Sequence, residues 1–337
     1  MLSKCNNADS SLDRLISVVA WSISTVRPLM FGVAPYNHIL GETHHVSRGT
    51  VNVLLDQVSH HPPINALHAT DEKENIQIIW CPHAVPKFYG TTVETEVHGK
   101  RQLKLLNHGE LMNSPKLWLR FLPVPGVEWV GNVRIQCPET GLEADLCYKS
   151  NSSLGLGGNY RAIKGKIYEA SSLKTFYEID GYLRIYQKYI KSFFLTVTIK
   201  DTNNGKVTII FNAKVISGLT TPTIKLNYMC TALDSLHQGV WPSESVALWS
   251  EGSQAILSKD WEKATKAKKG LEEMQRQLLR DRKSRGETRH PKHFSLTNSK
   301  EDGWDCSSVQ KWVPPAPVIV PIKLMLSSSA KLAVYMQ

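Results

Sequence analysis

No run of eighteen or more apolar residues occurs in this 337-residue chain, so no segment is long enough to span a bilayer as a helix. The six cysteines (Cys5, Cys81, Cys137, Cys147, Cys230 and Cys306) are scattered without one C-x-x-C pair. That spacing supports neither a zinc ribbon nor a dense disulfide framework and reads as reduced thiols in a cytosolic protein. There is no Walker loop, no G-x-S-x-G elbow and no H-E-x-x-H helix, so no hydrolase or nucleotide-binding motif nominates an enzyme. Gly155, Gly157 and Gly158 lack the G-x-G-x-x-G spacing and are followed by strand-like residues, which makes them a turn or bulge.

What the chain has is an ordinary globular balance, 42% apolar and 21% charged, with a formal charge of +10. The apolar content excludes wholesale disorder. The basic excess favours polyanions, whether nucleic acid, phosphorylated ligands or anionic membrane, without choosing among them.

Residues 50–213 are dominated by short β-prone runs, many alternating apolar with polar residues, as strands with one buried face do. Examples are residues 51–58 (VNVLLDQV), 76–81 (IQIIWC), 142–149 (LEADLCYK) and 206–213 (KVTIIFNA), with turn signals such as PETG at 138–141 and NNG at 203–205 between strand runs. Strands in series without crossover helices predict a large antiparallel barrel or sandwich and exclude a doubly wound α/β sheet.

Two helices are expected outside that region. Ser10 and Ser11 can cap a short helix burying Leu15, Val18, Val19 and Ile23. A signal-peptide reading of residues 15–23 is disfavoured because Asp9 and Asp13 precede the run. Residues 259–292 carry twelve lysines and arginines against six acidic residues, more than half of the net charge. Trp261, Ala264, Ala267, Leu271, Met274 and Leu278 recur there every three or four residues, one stripe of an amphipathic helix that Gly286 would stop. Residues 313–321 (VPPAPVIVP) are too proline-rich for a helix or a central strand.

Three strings could carry chemistry. Residues 56–63, DQVSHHPP, set His60 and His61 where two prolines stop a strand; the residue types alone leave structural histidines, an anion site and a metal site all open. Residues 35–42, PYNHILGE, read as a turn leading into the first strand. Lys268, Glu272 and Arg276, four apart on the basic helix, can pair through the glutamate and turn their remaining donors to a phosphate, or form a solvated ladder.

In order and type the three strings resemble the lipid-binding domain of the oxysterol-binding protein-related family. Its signature E-Q-V-S-H-H-P-P is matched by Asp56, Gln57, Val58, Ser59, His60, His61, Pro62 and Pro63 in all but the first residue. Residues 20–28 (AWSISTVRP) and 31–45 (FGVAPYNHILGETHH) are similar to its N-terminal segment, closest to plant members, and residues 243–249 and 267–276 (AKKGLEEMQR) to its C-terminal helical region.

The resemblance implies a mainly β fold with C-terminal helices: an incomplete, strongly curved antiparallel β-barrel around a hydrophobic lipid tunnel. By domains, it implies a short helical segment at 1–30 standing for a truncated lid. A lipid-binding domain at 31–313 follows (barrel about 31–240, helical part about 241–313), then an atypical tail at 314–337. It implies a non-enzymatic cytosolic monomer, peripheral to intracellular membranes, that moves phosphatidylinositol 4-phosphate and a sterol between membranes or senses them as a scaffold. The partners are those lipids and an anionic membrane surface, with no nucleic acid, metal or cofactor. Carried over by position, His60, His61, Lys268 and Arg276 would bind the 4-phosphate, Glu272 would orient the two cations and Asn37 would contact the inositol phosphate. Ala34 stands where the family has a phosphate-binding lysine, and His38 where proline is usual. Residues 182–194 and 225–238, and the tail from 322, fit neither the strand rhythm nor the family pattern and read as insertions.

Overall fold

The computed structural model describes residues 2–26, 37–99, 101–105, 108–112, 116–120, 126–149, 160–186, 191–217, 240–299 and 303–319. Ala34, Gly155, Gly157, Gly158, residues 225–238 and the tail from 322 lie outside them. A short helix α1 (Leu2–Asn6) leads to α2 (Ser11–Thr25). Ser10 caps α2 by accepting from the Asp13 amide at 3.1 Å, as the serine pair predicted. Leu15, Val18, Val19 and Ile23 are all buried, each worth about 1.5–3 kcal/mol of apolar burial.

Among the described residues eighteen strands follow, and most form one sheet. They are β1 (Thr43–Arg48), β2 (Val51–Ser59), β3 (Ile64–Asp71), β4 (Ile76–Trp80), β5 (His83–Phe88) and β6 (Thr92–His98). Next come β7 (Arg101–Leu105), β8 (His108–Met112), β9 (Lys116–Arg120), β10 (Gly126–Cys137), β11 (Leu142–Lys149) and β12 (Tyr160–Glu169). The last are β13 (Thr175–Tyr186), β14 (Lys191–Asp201), β15 (Val207–Ser217), β16 (Phe294–Ser299), β17 (Gly303–Ser308) and β18 (Val318–Ile319).

Neighbours pair in the order β15-β14-β13-β12-β11-β10-β8-β7-β4-β3-β2-β1-β18, with β5, β6 and β9 off that path. The registers show that these three are continuations. Ile76↔Leu105 and His83↔His98 belong to one ladder, so β4 and β5 are one strand broken by a bend, facing β7 and β6. Arg101↔Met112 continues as Thr92↔Arg120, and Ile135↔Met112 as Val130↔Lys116. The bend needs glycine. Gly99 has φ +95°, and a Cβ there would sit 2.2 Å from the Cys81 carbonyl oxygen. The sheet is thus a long antiparallel meander whose one parallel pair among the described residues is β1 with β18 at the edge, the position left to a proline-rich segment.

The meander curls around α2. That helix meets β7 through the Arg101–Thr25 hydrogen bond and also contacts β11 and β15. From β7 to β15 is seven strand intervals, about 34 Å if flat, against a helix diameter of about 10–12 Å. The main core accordingly joins Val18, Val19 and Ile23 to Leu103, Ile135, Leu146, Ile167 and Val197. The fold is mainly β, strongly curved and open, β15 and β18 being its edges among the described residues.

Within the stretch 182–194, whose composition broke the strand rhythm, residues 182–186 and 191–194 lie in β13 and β14, in register from Tyr182↔Thr196 to Tyr186↔Ser192. Their local composition breaks the alternating rhythm, but the ladder is set by the neighbouring strand.

On the other face, the β16–β17 hairpin buries Phe294 and Cys306 against Leu54, Val58, Ile79 and Cys81. Before it, among the described residues, come the helices α3 (Ser245–Leu248), α4 (Ser250–Leu257) and α5 (Trp261–Arg285). Asp260 caps α5 and Gly286 ends it in the left-handed conformation. The apolar stripe is less covered than its periodicity suggested: no α5 residue is buried, and Trp261 and Met274 are 64% and 45% exposed.

Candidate functional site

The histidine pair stands at the β2–β3 turn. A register shift between Gln57 and Ser59 puts a bulge at Val58, which re-aims the residues after it. Gln57 Nε2 donates to the Ser59 carbonyl at 2.7 Å, and the His60 and His61 rings meet edge-on at 4.6 Å. Burial, and next the neighbouring His61, push the His60 pKa down, while a hydrogen bond to the His38 main chain opposes both. That bond draws the turn carrying Asn37 against the signature. His60 Nδ1 is buried with no partner among the described residues.

The 37–42 turn is held from beneath by Glu42, which is 3% exposed. Its carboxylate accepts from the Ile39 amide (2.9 Å), Ser245 Oγ (2.6 Å) and Trp249 Nε1 (3.0 Å). The turn is also bonded to β2 through the main chain, Gly41 N–H donating to the Gln57 carbonyl at 2.8 Å and Gln57 N–H to the Glu42 carbonyl at 2.9 Å. Next to it, buried Glu244 accepts from Thr43 Oγ1 at 2.7 Å and the His45 amide at 2.9 Å. The start of β1 is thereby clamped to the α3 region some 200 residues later.

On α5, Glu272 lies between Lys268 (4.0 Å) and Arg276 (3.5 Å), the arrangement the spacing predicted. Arg276 also pairs with Glu273 at 3.0 Å, and Arg280 with Glu273 at 2.7 Å. No hydrogen bond or ion pair joins Lys268, Glu272 or Arg276 to His60, His61 or Asn37 among the described residues. The link comes three residues past the α5 cap: Arg289 Nη2 lies 3.6 Å from Asp56 Oδ1, the first position of the signature. Asp56 is 1% exposed, and burial raises its pKa while Arg289 pulls it down. Arg289 also lies against Gly41, where an added Cβ would sit 2.7 Å from its guanidinium.

One residue set thus ties together the signature turn, the 37–42 turn and the end of a basic helix. The family model described as oxysterol-binding protein matches residues 1–314. The chain belongs to the oxysterol-binding protein family. It is 48% identical over 325 residues to "Oxysterol-binding protein-related protein 4B" of Arabidopsis thaliana, covering 95% of this chain and 79% of that one. Among solved structures it resembles the Osh1 ORD domain in complex with ergosterol, with a TM-score of 0.67 at 17% identity over 91% of this chain and 76% of that one. It also resembles the Osh3 ORD in complex with PI(4)P from Saccharomyces cerevisiae, with a TM-score of 0.59 at 17% identity over 94% and 80%. At these identities the likeness is one of fold.

Within the oxysterol-binding protein fold, sequence reasoning located the turn, Glu42 included, and the basic ladder but missed Arg289 and Glu244. Their partners lie some 200 residues away or more, beyond any local periodicity. Among the described residues no group of three or more His, Cys, Asp or Glu could hold a metal ion, and no helix is long and apolar enough to cross a membrane.

Proposed function

We propose that this protein is a non-enzymatic lipid carrier of the cytosol. It takes one lipid at a time, phosphatidylinositol 4-phosphate or a sterol, in residues 31–313, and exchanges it at anionic membrane surfaces. The observation that carries the reading is the signature turn. Two imidazoles meet edge-on, one with a buried ring nitrogen that has no partner among the described residues, against the turn that presents Asn37. Imidazole N–H groups and a carboxamide suit a phosphorylated inositol. Lys268 and Arg276, paired to Glu272, supply charge on the helix tied to the signature through Arg289, and Lys and Arg residues near an anionic leaflet contribute about 1 kcal/mol each to docking.

The test is lipid extraction. The purified chain is offered liposomes holding phosphatidylinositol 4-phosphate and sterol, and bound lipid is read by native mass spectrometry. One phosphoinositide per chain is expected, with His60→Ala/His61→Ala losing it and keeping sterol. Equal loss of both lipids would make the pair a structural support. Binding without transfer between donor and acceptor vesicles would make the protein a sensor.

A further inference from the structure

A second polar cluster lies on the face of the sheet that wraps α2. Arg101 of β7 is opposite Trp80 of β4 in the ladder. Its guanidinium carbon is 4.4 Å from the Trp80 ring centroid and 5.8 Å from that of Trp21. Nη1 donates to Thr25 Oγ1 at 3.1 Å, and that hydroxyl itself donates to the Ser22 carbonyl at 2.7 Å. Arg101 Nε, Trp80 Nε1 and the Tyr148 hydroxyl are each buried with no partner among the described residues. Tyr148, on β11, is 6% exposed and close enough to Arg101 for the two to interact electrostatically.

The unmet groups share one chemistry. A guanidinium and an indole are donors only. Burial pushes the Tyr148 pKa up, so its hydroxyl keeps its proton as a third donor. No carboxylate pairs with Arg101 among the described residues; the α2 C-terminus beside Thr25 offers a partial negative charge of about half an electron. A half-buried cation with so little compensation, and three donors idle among the described residues, is the complement of an anionic oxygen. The neighbours along the same strands, Ile76, Leu103 and Leu105, are buried members of the main core, which suits an alkyl chain and repels a free inorganic ion.

We propose that Arg101, Trp80 and Tyr148 form a second ligand subsite, for the carboxylate of an acyl-chain amphiphile, separate from the His60–His61 turn. Because the donors are covered, such a ligand reaches them by drawing Arg101 away from Thr25.

Calorimetric titration of the full chain with oleate, oleyl alcohol and inorganic phosphate tests this, since the first two share a chain and differ in charge. Oleate is expected to bind one-to-one and at least ten-fold more tightly than oleyl alcohol. Arg101→Gln should erase that preference, Arg101→Lys should restore part of it, and His60→Ala/His61→Ala should leave it intact, so failure of the headgroup reading would not touch this one. If Arg101→Gln does not fold, Tyr148→Phe removes one hydroxyl and should weaken oleate about three- to ten-fold without changing oleyl alcohol. Equal affinities for acid and alcohol, a preference surviving Arg101→Gln, or phosphate competing as well as oleate would each overturn the proposal.

Discussion

Replacing Glu42 by Gln tests whether the buried carboxylate organises the turn beside the signature. Oε1 accepts from Ser245 and Trp249 and Oε2 from Ile39. A glutamine oxygen can serve the first two, but its amide then faces the Ile39 N–H, leaving a buried donor unmet at about 1–3 kcal/mol. The remaining bonds lose their ionic character, about 1 kcal/mol for Trp249; Ser245 loses less, because its hydroxyl also lies 3.2 Å from the Thr43 carbonyl. The sum is about 3 kcal/mol, or roughly 6 °C in Tm at about 2 °C per kcal/mol for a chain of this size. Urea unfolding at pH 7 would read the first figure and a thermal melt the second. Trp249→Phe removes one of the same bonds, so the double variant should be less destabilised than the two singles summed, by about 1 kcal/mol. A Tm within 1 °C of the parent, or full additivity, would refute the role given to Glu42.

Three further outcomes follow from the electrostatics. The His60 pKa is held down by burial and a bound phosphate would raise it, so phosphoinositide binding takes up a proton and should tighten as pH falls from 8 to 6.5; His60→Ala should flatten that slope. Asp56 has a folded pKa above its ordinary 3.8. The folded state therefore holds the proton longer, and this residue's contribution to stability is lost as pH rises above about 4; Asp56→Asn should remove that decline in urea unfolding measured at pH 4.5 and 7. His68, buried on β3 with an Nε2 that has no partner among the described residues, has its pKa pushed down to about 4, by burial first and Lys104 second. The unfolded chain thus protonates first, and about 3 kcal/mol should be lost between pH 6.5 and 4; His68→Gln should lose much less over that range.

Local elements and the chemistry at their ends could be read directly from residue order. Alternation in residues 142–149 became β11, strand for strand. Ser10 capped α2 and Gly286 ended α5, because capping and periodicity act within one or two turns. The histidine pair and the Lys268–Glu272–Arg276 ladder were legible for the same reason. What those pieces meet depends on how the sheet folds back on itself. Residues 182–186 and 191–194 looked foreign until β13 and β14 paired them, and β5, β6 and β9 are continuations of bent strands only because ladder partners keep their register past Gly99. Asp56 found Arg289, and Glu42 found Trp249, across more than 200 positions. Arg101 came between two indoles because the sheet curls around α2. Burial, charge pairing and idle donors are properties of neighbours in space, and a curved sheet chooses those neighbours by its register and curvature.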